Sequence, residues 1–197
     1  MTVANVLTHT QFTVRKKVLK LIGGAFHVYD ANENVIAYSK MKAFKLKEDI
    51  RLYTGEDMTT EILTIKARSI IDFGAAYDVV DAQQQVKVGA LKRKGLKSII
   101  KDEWVILDPH DREMGTIVED STALALIRRF IDLASYFLPQ KYTVTIGGQP
   151  VGMMQQNKNP FVYKLKVDLS ADRGGIFDRR LALASALLMA AIEGKQS

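Results

Sequence analysis

Apolar and polar residues alternate in about a dozen short stretches of the chain, which is the pattern of half-buried β-strands. Three stretches share one motif, an aromatic residue, Val or Ile two positions on, and Asp two positions further: Phe26–Asp30, Tyr77–Asp81 and Trp104–Asp108. A fourth, Tyr142–Ile146, keeps the first part of the motif and then turns at Gly147 and Gly148. Each Asp is placed to open a turn, because its carboxylate can accept hydrogen bonds from the backbone two residues on.

A second apolar stretch follows each turn, so the motifs predict four hairpins. The second strands are 35–38, 86–88, 114–118 and 151–154, and further strands are predicted at 12–19, 50–53, 61–68 and 161–169. About twelve strands with such turns predict an antiparallel barrel or sandwich. The motif recurs after 51 and then 27 residues, which argues against a propeller, whose blades recur at a fixed period.

The stretch DRRLALASALLMAAIEGK, residues 178–195, breaks the β pattern. Ser185 is the only polar residue between Leu181 and Ile192, so a helix here has no polar face. Twelve residues span about 18 Å as a helix, whereas a bilayer core of about 30 Å needs about 20. A helix that is apolar all round and too short to span is buried in its own protein, and the lumen of a wide barrel must be filled. We therefore expect one domain over residues 1–197, a closed antiparallel β-barrel of about twelve strands that encloses a helix at about 178–193.

Two other segments complete the predicted organisation. Ser121 and Pro139 are typical of helix limits, so a second helix is predicted over 121–138. Residues 1–10 are expected to form a loose N-terminal tail. No apolar signal segment is visible at 1–11 and the chain contains no cysteine, so we expect a cytoplasmic protein.

The net charge of +6 is concentrated in the first half of the chain. Residues 1–101 contain 17 Lys and Arg against 10 Asp and Glu, while residues 102–197 contain 11 against 12. The densest basic cluster comprises Lys87, Lys92, Arg93, Lys94, Lys97 and Lys101, and a second row comprises Lys40, Lys42, Lys45 and Lys47. Such clusters suit anionic headgroups, although a solvated lysine-rich face explains them equally well.

The order of these motifs resembles that of LURP-one-related proteins, phospholipid scramblases and Tubby C-terminal domains, which share a β-barrel threaded by an apolar C-terminal helix. The resemblance runs from about Phe26 to Glu193. It is carried by the hairpins that start at Tyr77 and Trp104, and by Val167-Asp168 leading through Asp178 into the terminal helix. Tubby domains bind phosphoinositides and scramblases have a calcium-linked role at membranes, so the resemblance implies contact with lipid.

The scramblase resemblance also implies a calcium segment just before the last helix, at Asp168–Arg179. Counted as a calcium loop, the segment has oxygen ligands at positions 1, 3 and 5, but Arg173 stands where the turn needs Gly and Arg179 where it needs Glu. Asp168, Asp172 and Asp178 are therefore weak candidates, and we expect no metal site. Instead we expect Asp172 or Asp178 to cap the helix and to pair with an arginine.

Enzyme signatures are absent from the sequence, which has no nucleophile elbow, P-loop or dinucleotide fingerprint, and no cofactor is expected. Two hypotheses remain: a non-enzymatic module that recognises anionic phospholipid at a membrane surface, and a structural or protein-interaction scaffold with no lipid ligand. Nucleic acid is disfavoured as a partner, because the aromatic residues fall at core-facing strand positions and not among the lysines.

Overall fold

The computed structural model describes residues 2–17, 24–41, 49–68, 76–94, 103–120, 140–157 and 162–193. These residues form twelve strands between a short N-terminal helix, α1 (Val3–Val6), and a C-terminal helix, α2 (Arg179–Glu193). The strands are β1 Gln11–Lys17, β2 Gly24–Asp30, β3 Val35–Met41, β4 Ile50–Tyr53, β5 Glu61–Ala67, β6 Ala76–Asp81, β7 Val86–Arg93, β8 Glu103–Leu107, β9 Glu113–Glu119, β10 Gln140–Ile146, β11 Gln149–Asn157 and β12 Val162–Asp168.

Every strand pairs antiparallel with its neighbours in sequence, and β12 returns to pair with β1, so the sheet closes into a barrel. The closing register sets Phe12 opposite Val167 and Val14 opposite Leu165, with all four side chains buried. Inward-facing apolar residues therefore continue from β12 to β1 across the seam where the barrel closes. A register shift of one residue would turn these side chains outward. The predicted fold class is confirmed.

The shared Asp motif acts in the turns as the sequence predicts. Asp30, Asp81 and Asp108 each accept a hydrogen bond from the backbone N–H two residues on, at 2.8–2.9 Å. A β-bulge lies one or two residues before each of these Asp residues. Bulges sharpen the local twist, which helps a sheet of this width to curve and close.

Helix α2 fills the lumen of the barrel, so the predicted placement of the C-terminal helix is confirmed. Residues 181–192 are all buried, with exposed fractions of 9% or less. The single polar member, Ser185, donates its hydroxyl to the carbonyl of Leu181 at 2.7 Å and so brings no unpaired group into the core. Asp178 caps the helix by accepting from the N–H of Arg180 at 2.8 Å.

Two glycines let the wall of the barrel come close to other backbone and to the helix. A Cβ atom on Gly89 would lie 2.3 Å from the carbonyl oxygen of Leu107 and 3.2 Å from the side chain of Leu181. A Cβ on Gly152 would lie 2.4 Å from the carbonyl oxygen of Asp168. The two distances to carbonyl oxygens, 2.3 Å and 2.4 Å, are shorter than real Cβ contacts, so only glycine fits at these positions.

The remaining predicted segments have different outcomes. The predicted helix over 121–138 lies outside the described residues. The N-terminal segment, for which we expected a loose tail, contains one helical turn capped by Thr2, and its Val6 is 1% exposed within the core. The backbone carbonyl of Thr10 accepts a hydrogen bond from Leu169, which ties the entry into β1 to the end of β12.

Candidate anion-binding surface

The predicted basic cluster is only partly available for a ligand. Lys97 and Lys101 lie outside the described residues. Lys94 forms an ion pair with Glu103 at 2.5 Å across the β7–β8 pair. Lys92 is exposed, and within the described ranges its ammonium forms no ion pair, whereas Arg93 is half-buried and stands opposite Trp104 in the register of β7 and β8. Lys42, Lys45 and Lys47 of the second predicted row also fall outside the described residues.

Lys87 belongs to a group of two cations and two anions on the outer face of β5, β6 and β7. Its ammonium lies 2.6 Å from Asp111 and 3.3 Å from Asp78. Arg68 donates to both oxygens of Asp78 and also to Asp111. Burial opposes ionisation of Asp78, but Arg68 and Lys87 outweigh it and lower the pKa of that carboxyl; the same two cations lower the pKa of Asp111. The group has no net charge. Lys87 therefore has a structural role, because its charge is balanced by Asp78 and Asp111.

A basic surface that the sequence analysis missed lies on the outer face of β1 and β12. Arg15 stands directly opposite Lys164 in the closing register, and Lys166 lies two residues further along the same face. We call these three residues the β1–β12 basic strip. Lys166 is exposed, and in the described part of the chain neither lysine forms an ion pair. The signal in the sequence is a basic residue at every second position of YKLK near the end, together with Arg15 in the basic run VRKK near the start.

Arg15 is the only member of the strip with a carboxylate partner among the described residues, since it pairs with Glu33. Its guanidinium also stacks over the ring of Tyr29, 4.3 Å from the centroid. The hydrogen bond from Arg15 lowers the pKa of Glu33, with smaller contributions from Lys164 and Lys166. One carboxylate therefore faces three cations, and the strip keeps a net positive charge.

The carboxylates of Asp168–Arg179, the segment that the scramblase resemblance implies for calcium, accept hydrogen bonds within the protein. Asp172 accepts from the backbone N–H groups of Ile176 and Phe177 and from Arg179, whose guanidinium lies 2.8 Å away. Asp168 accepts from the N–H and hydroxyl of Ser170. The expected capping and arginine pairing are thus confirmed. The described ranges contain no group of three or more Asp, Glu, His or Cys side chains arranged to hold a metal ion.

Arg180 connects the start of the lumen helix to the wall. Its guanidinium lies 2.7 Å from Asp81 and 2.6 Å from the capping Asp178. Burial opposes ionisation of Asp81, but hydrogen bonds from the N–H groups of Gln84 and Gln83 and from Arg180 outweigh it and lower the pKa of that carboxyl. The arginines before the helix therefore have structural partners on both sides.

These features define a twelve-stranded antiparallel barrel that is built around its own C-terminal helix and carries its unpaired charge on the outside. Within the described ranges, neither helix has the length and apolar character needed to cross a membrane. The family model described as LURP-one-related matches residues 35–190, and the chain belongs to the LURP-one-related family. No curated protein and no solved structure matches the chain.

Proposed function

We propose that this protein is a non-enzymatic module that recognises anionic phospholipid at the cytoplasmic surface of a membrane. The observation that carries the proposal is the pair of outward lysines on β12 that have no carboxylate partner in the described residues, Lys164 and Lys166. Each basic residue close to an anionic lipid surface contributes about 1 kcal/mol to binding. These two lysines and the neighbouring Arg15 are sufficient for weak, reversible association without any inserted segment.

The interior of the barrel supports a role in binding more than one in catalysis. Its lumen is filled by the side chains of α2, and the polar group that this helix introduces, Ser185, is satisfied within the helix itself. Three carboxyls with a perturbed pKa that accept from arginine or lysine, Asp78, Asp81 and Asp111, stabilise turns and strand pairs. We therefore assign no catalytic residue and no cofactor.

The resemblance to scramblases and Tubby domains is consistent with this proposal, and we infer a shared superfamily. Lipid contact in this view is a property of the outer surface. We expect no role for calcium in it, since the carboxylates of Asp168–Asp178 accept hydrogen bonds from the protein.

Vesicle co-sedimentation tests the proposal. The full chain is mixed with vesicles of phosphatidylcholine alone and with vesicles that also contain phosphatidylserine, at low and at high salt. We expect sedimentation only with the anionic vesicles, and we expect it to be lost at 1 M salt, where the screening length falls from about 10 Å to about 3 Å. Equal sedimentation with both vesicle types would reject the recognition of anionic lipid, and no sedimentation with either would favour the scaffold hypothesis.

A further inference from the structure

We propose that the protein docks side-on to anionic membranes through the β1–β12 basic strip, on the face of the barrel that carries the seam between its first and last strands. This inference rests on the proposed lipid function and identifies the surface that performs it. The sequence alone points to the other side of the molecule, to the cluster at the end of β7.

The strip places three basic residues at adjacent positions on one face of the sheet. Neighbouring strands lie about 4.8 Å apart, and residues two apart on one strand are separated by about 6.6 Å. Arg15, Lys164 and Lys166 therefore occupy three corners of a small lattice of positive charge. Like charges directly opposite each other in a sheet are destabilising, and Glu33 balances only one of the three cations, so the strip gains from an external anion.

An exposed apolar side chain borders the strip. Met153 on β11 is 58% exposed, and it lies diagonal to Lys166 because it stands opposite Asp168 in the register. Lysines beside an exposed flexible apolar residue form the combination that binds an interface, with charge at the headgroups and the apolar chain at the acyl boundary.

The same face is poorly suited to nucleic acid. Single-stranded nucleic acid binds in basic grooves with aromatic rings free to stack on bases. Here the surface is the outside of a barrel, the ring of Tyr29 is covered by Arg15, and His27 is held by Glu56 at 2.8 Å. A membrane needs only the charges and the apolar border.

The strip and β7 lie on opposite sides of the molecule. Docking through the strip can therefore be distinguished by experiment from docking through the basic cluster at the end of β7. In the closed order of twelve strands, β7 is six strands from β1 in either direction. A membrane that meets one face along its side therefore does not meet the other.

The first experiment compares two double variants in the co-sedimentation assay. Lys164→Gln with Lys166→Gln removes two charges from the strip, and Lys66→Gln with Lys92→Gln removes two exposed charges from β5 and β7 as the matched control. We expect the strip variant to lose about thirtyfold in affinity, since two lysines at about 1 kcal/mol each correspond to roughly fivefold apiece. We expect the control to bind within about twofold of the wild type.

The second experiment places a fluorescent reporter on each face without changing charge. The chain has one tryptophan, Trp104, which is 1% exposed and provides a constant background. Met153→Trp should show a blue shift on addition of anionic vesicles, whereas Val86→Trp on the opposite face should not. Val86 is 48% exposed, so both reporters start in water.

The outcomes distinguish a failure of the proposed docking surface from a failure of the proposed lipid-binding function. If the wild type does not bind vesicles, the proposed function itself fails. If the wild type binds and the strip variant binds equally well, the function stands and this surface is wrong. Equal losses in both double variants, or blue shifts at both positions, would replace side-on docking with contact through the end of the barrel. Strip-dependent binding of a labelled oligonucleotide with no vesicle binding would overturn the choice of partner.

Discussion

Shortening Leu187 to Ala tests whether helix α2 is the core of the barrel. Leu187 is 0% exposed, as are its neighbours Ala186 and Leu188. The change removes three carbon atoms, which costs about 2.5 kcal/mol in transfer free energy at about 0.8 kcal/mol each. The strands around Leu187 form a closed wall, which cannot collapse into the space that the truncation leaves. The cavity therefore raises the expected loss in the free energy of unfolding to about 3–5 kcal/mol.

Urea unfolding of the wild type and of Leu187→Ala measures this loss, with Val86→Ala as the control. Val86 also carries an apolar side chain but is 48% exposed, so its truncation should change the free energy of unfolding by less than about 0.5 kcal/mol. For a chain of this size the melting temperature of Leu187→Ala should fall by about 10 °C. Leu187→Asp adds an unpaired buried charge and should prevent folding. A loss below about 1 kcal/mol for Leu187→Ala, or a soluble and cooperatively melting Leu187→Asp, would show that this position is not enclosed.

Three further predictions concern smaller features of the barrel. Gly152→Ala should lose about 1–3 kcal/mol because its Cβ meets a backbone carbonyl at 2.4 Å, whereas Gly174→Ala, with its nearest atom at 3.5 Å, should be near neutral in the same unfolding assay. The pKa of Asp81 is lowered in the folded state, so its contribution to stability is present above the unfolded pKa near 3.8 and is lost as pH falls below that value. Asp81→Asn should therefore be less stable than the wild type at pH 7 and should show a weaker decline in stability from pH 5 to pH 2. An unchanged decline would contradict this. Ser185→Ala, although fully buried, should change stability by less than about 1 kcal/mol by thermal melting, because the hydroxyl serves only a carbonyl of its own helix; a larger loss would indicate a partner on the wall.

Much of the fold could be predicted because its signals are local. The run from Leu181 to Ile192 is too apolar for any surface and too short for a bilayer, and these two facts alone place it inside the sheet. Each motif Asp makes its backbone turn hydrogen bonds within four residues, as at Asp30 with Asn32 and Asn34, so the turn follows from the sequence nearby.

The candidate site could not be predicted in the same way, because it depends on which strands meet. Arg15 and Lys164 lie at opposite ends of the chain and become neighbours only when β12 closes on β1. Conversely, Lys87 looks like part of a basic cluster in sequence, but the turn after β8 brings Asp111 to within 2.6 Å of it. A cluster counted along the chain overestimates free charge wherever the fold supplies carboxylates from elsewhere.

Hydrogen exchange with and without anionic vesicles tests most directly the claim that the helix is core and the outer surface contacts lipid. Backbone amides of residues 183–192 should exchange only through global unfolding, and their protection should be unchanged when the protein is bound to vesicles. Residues of β1 and β12 should keep or gain protection on binding. Loss of protection in 183–192 on vesicles would show that the helix leaves the barrel to enter the membrane, and it would contradict the account.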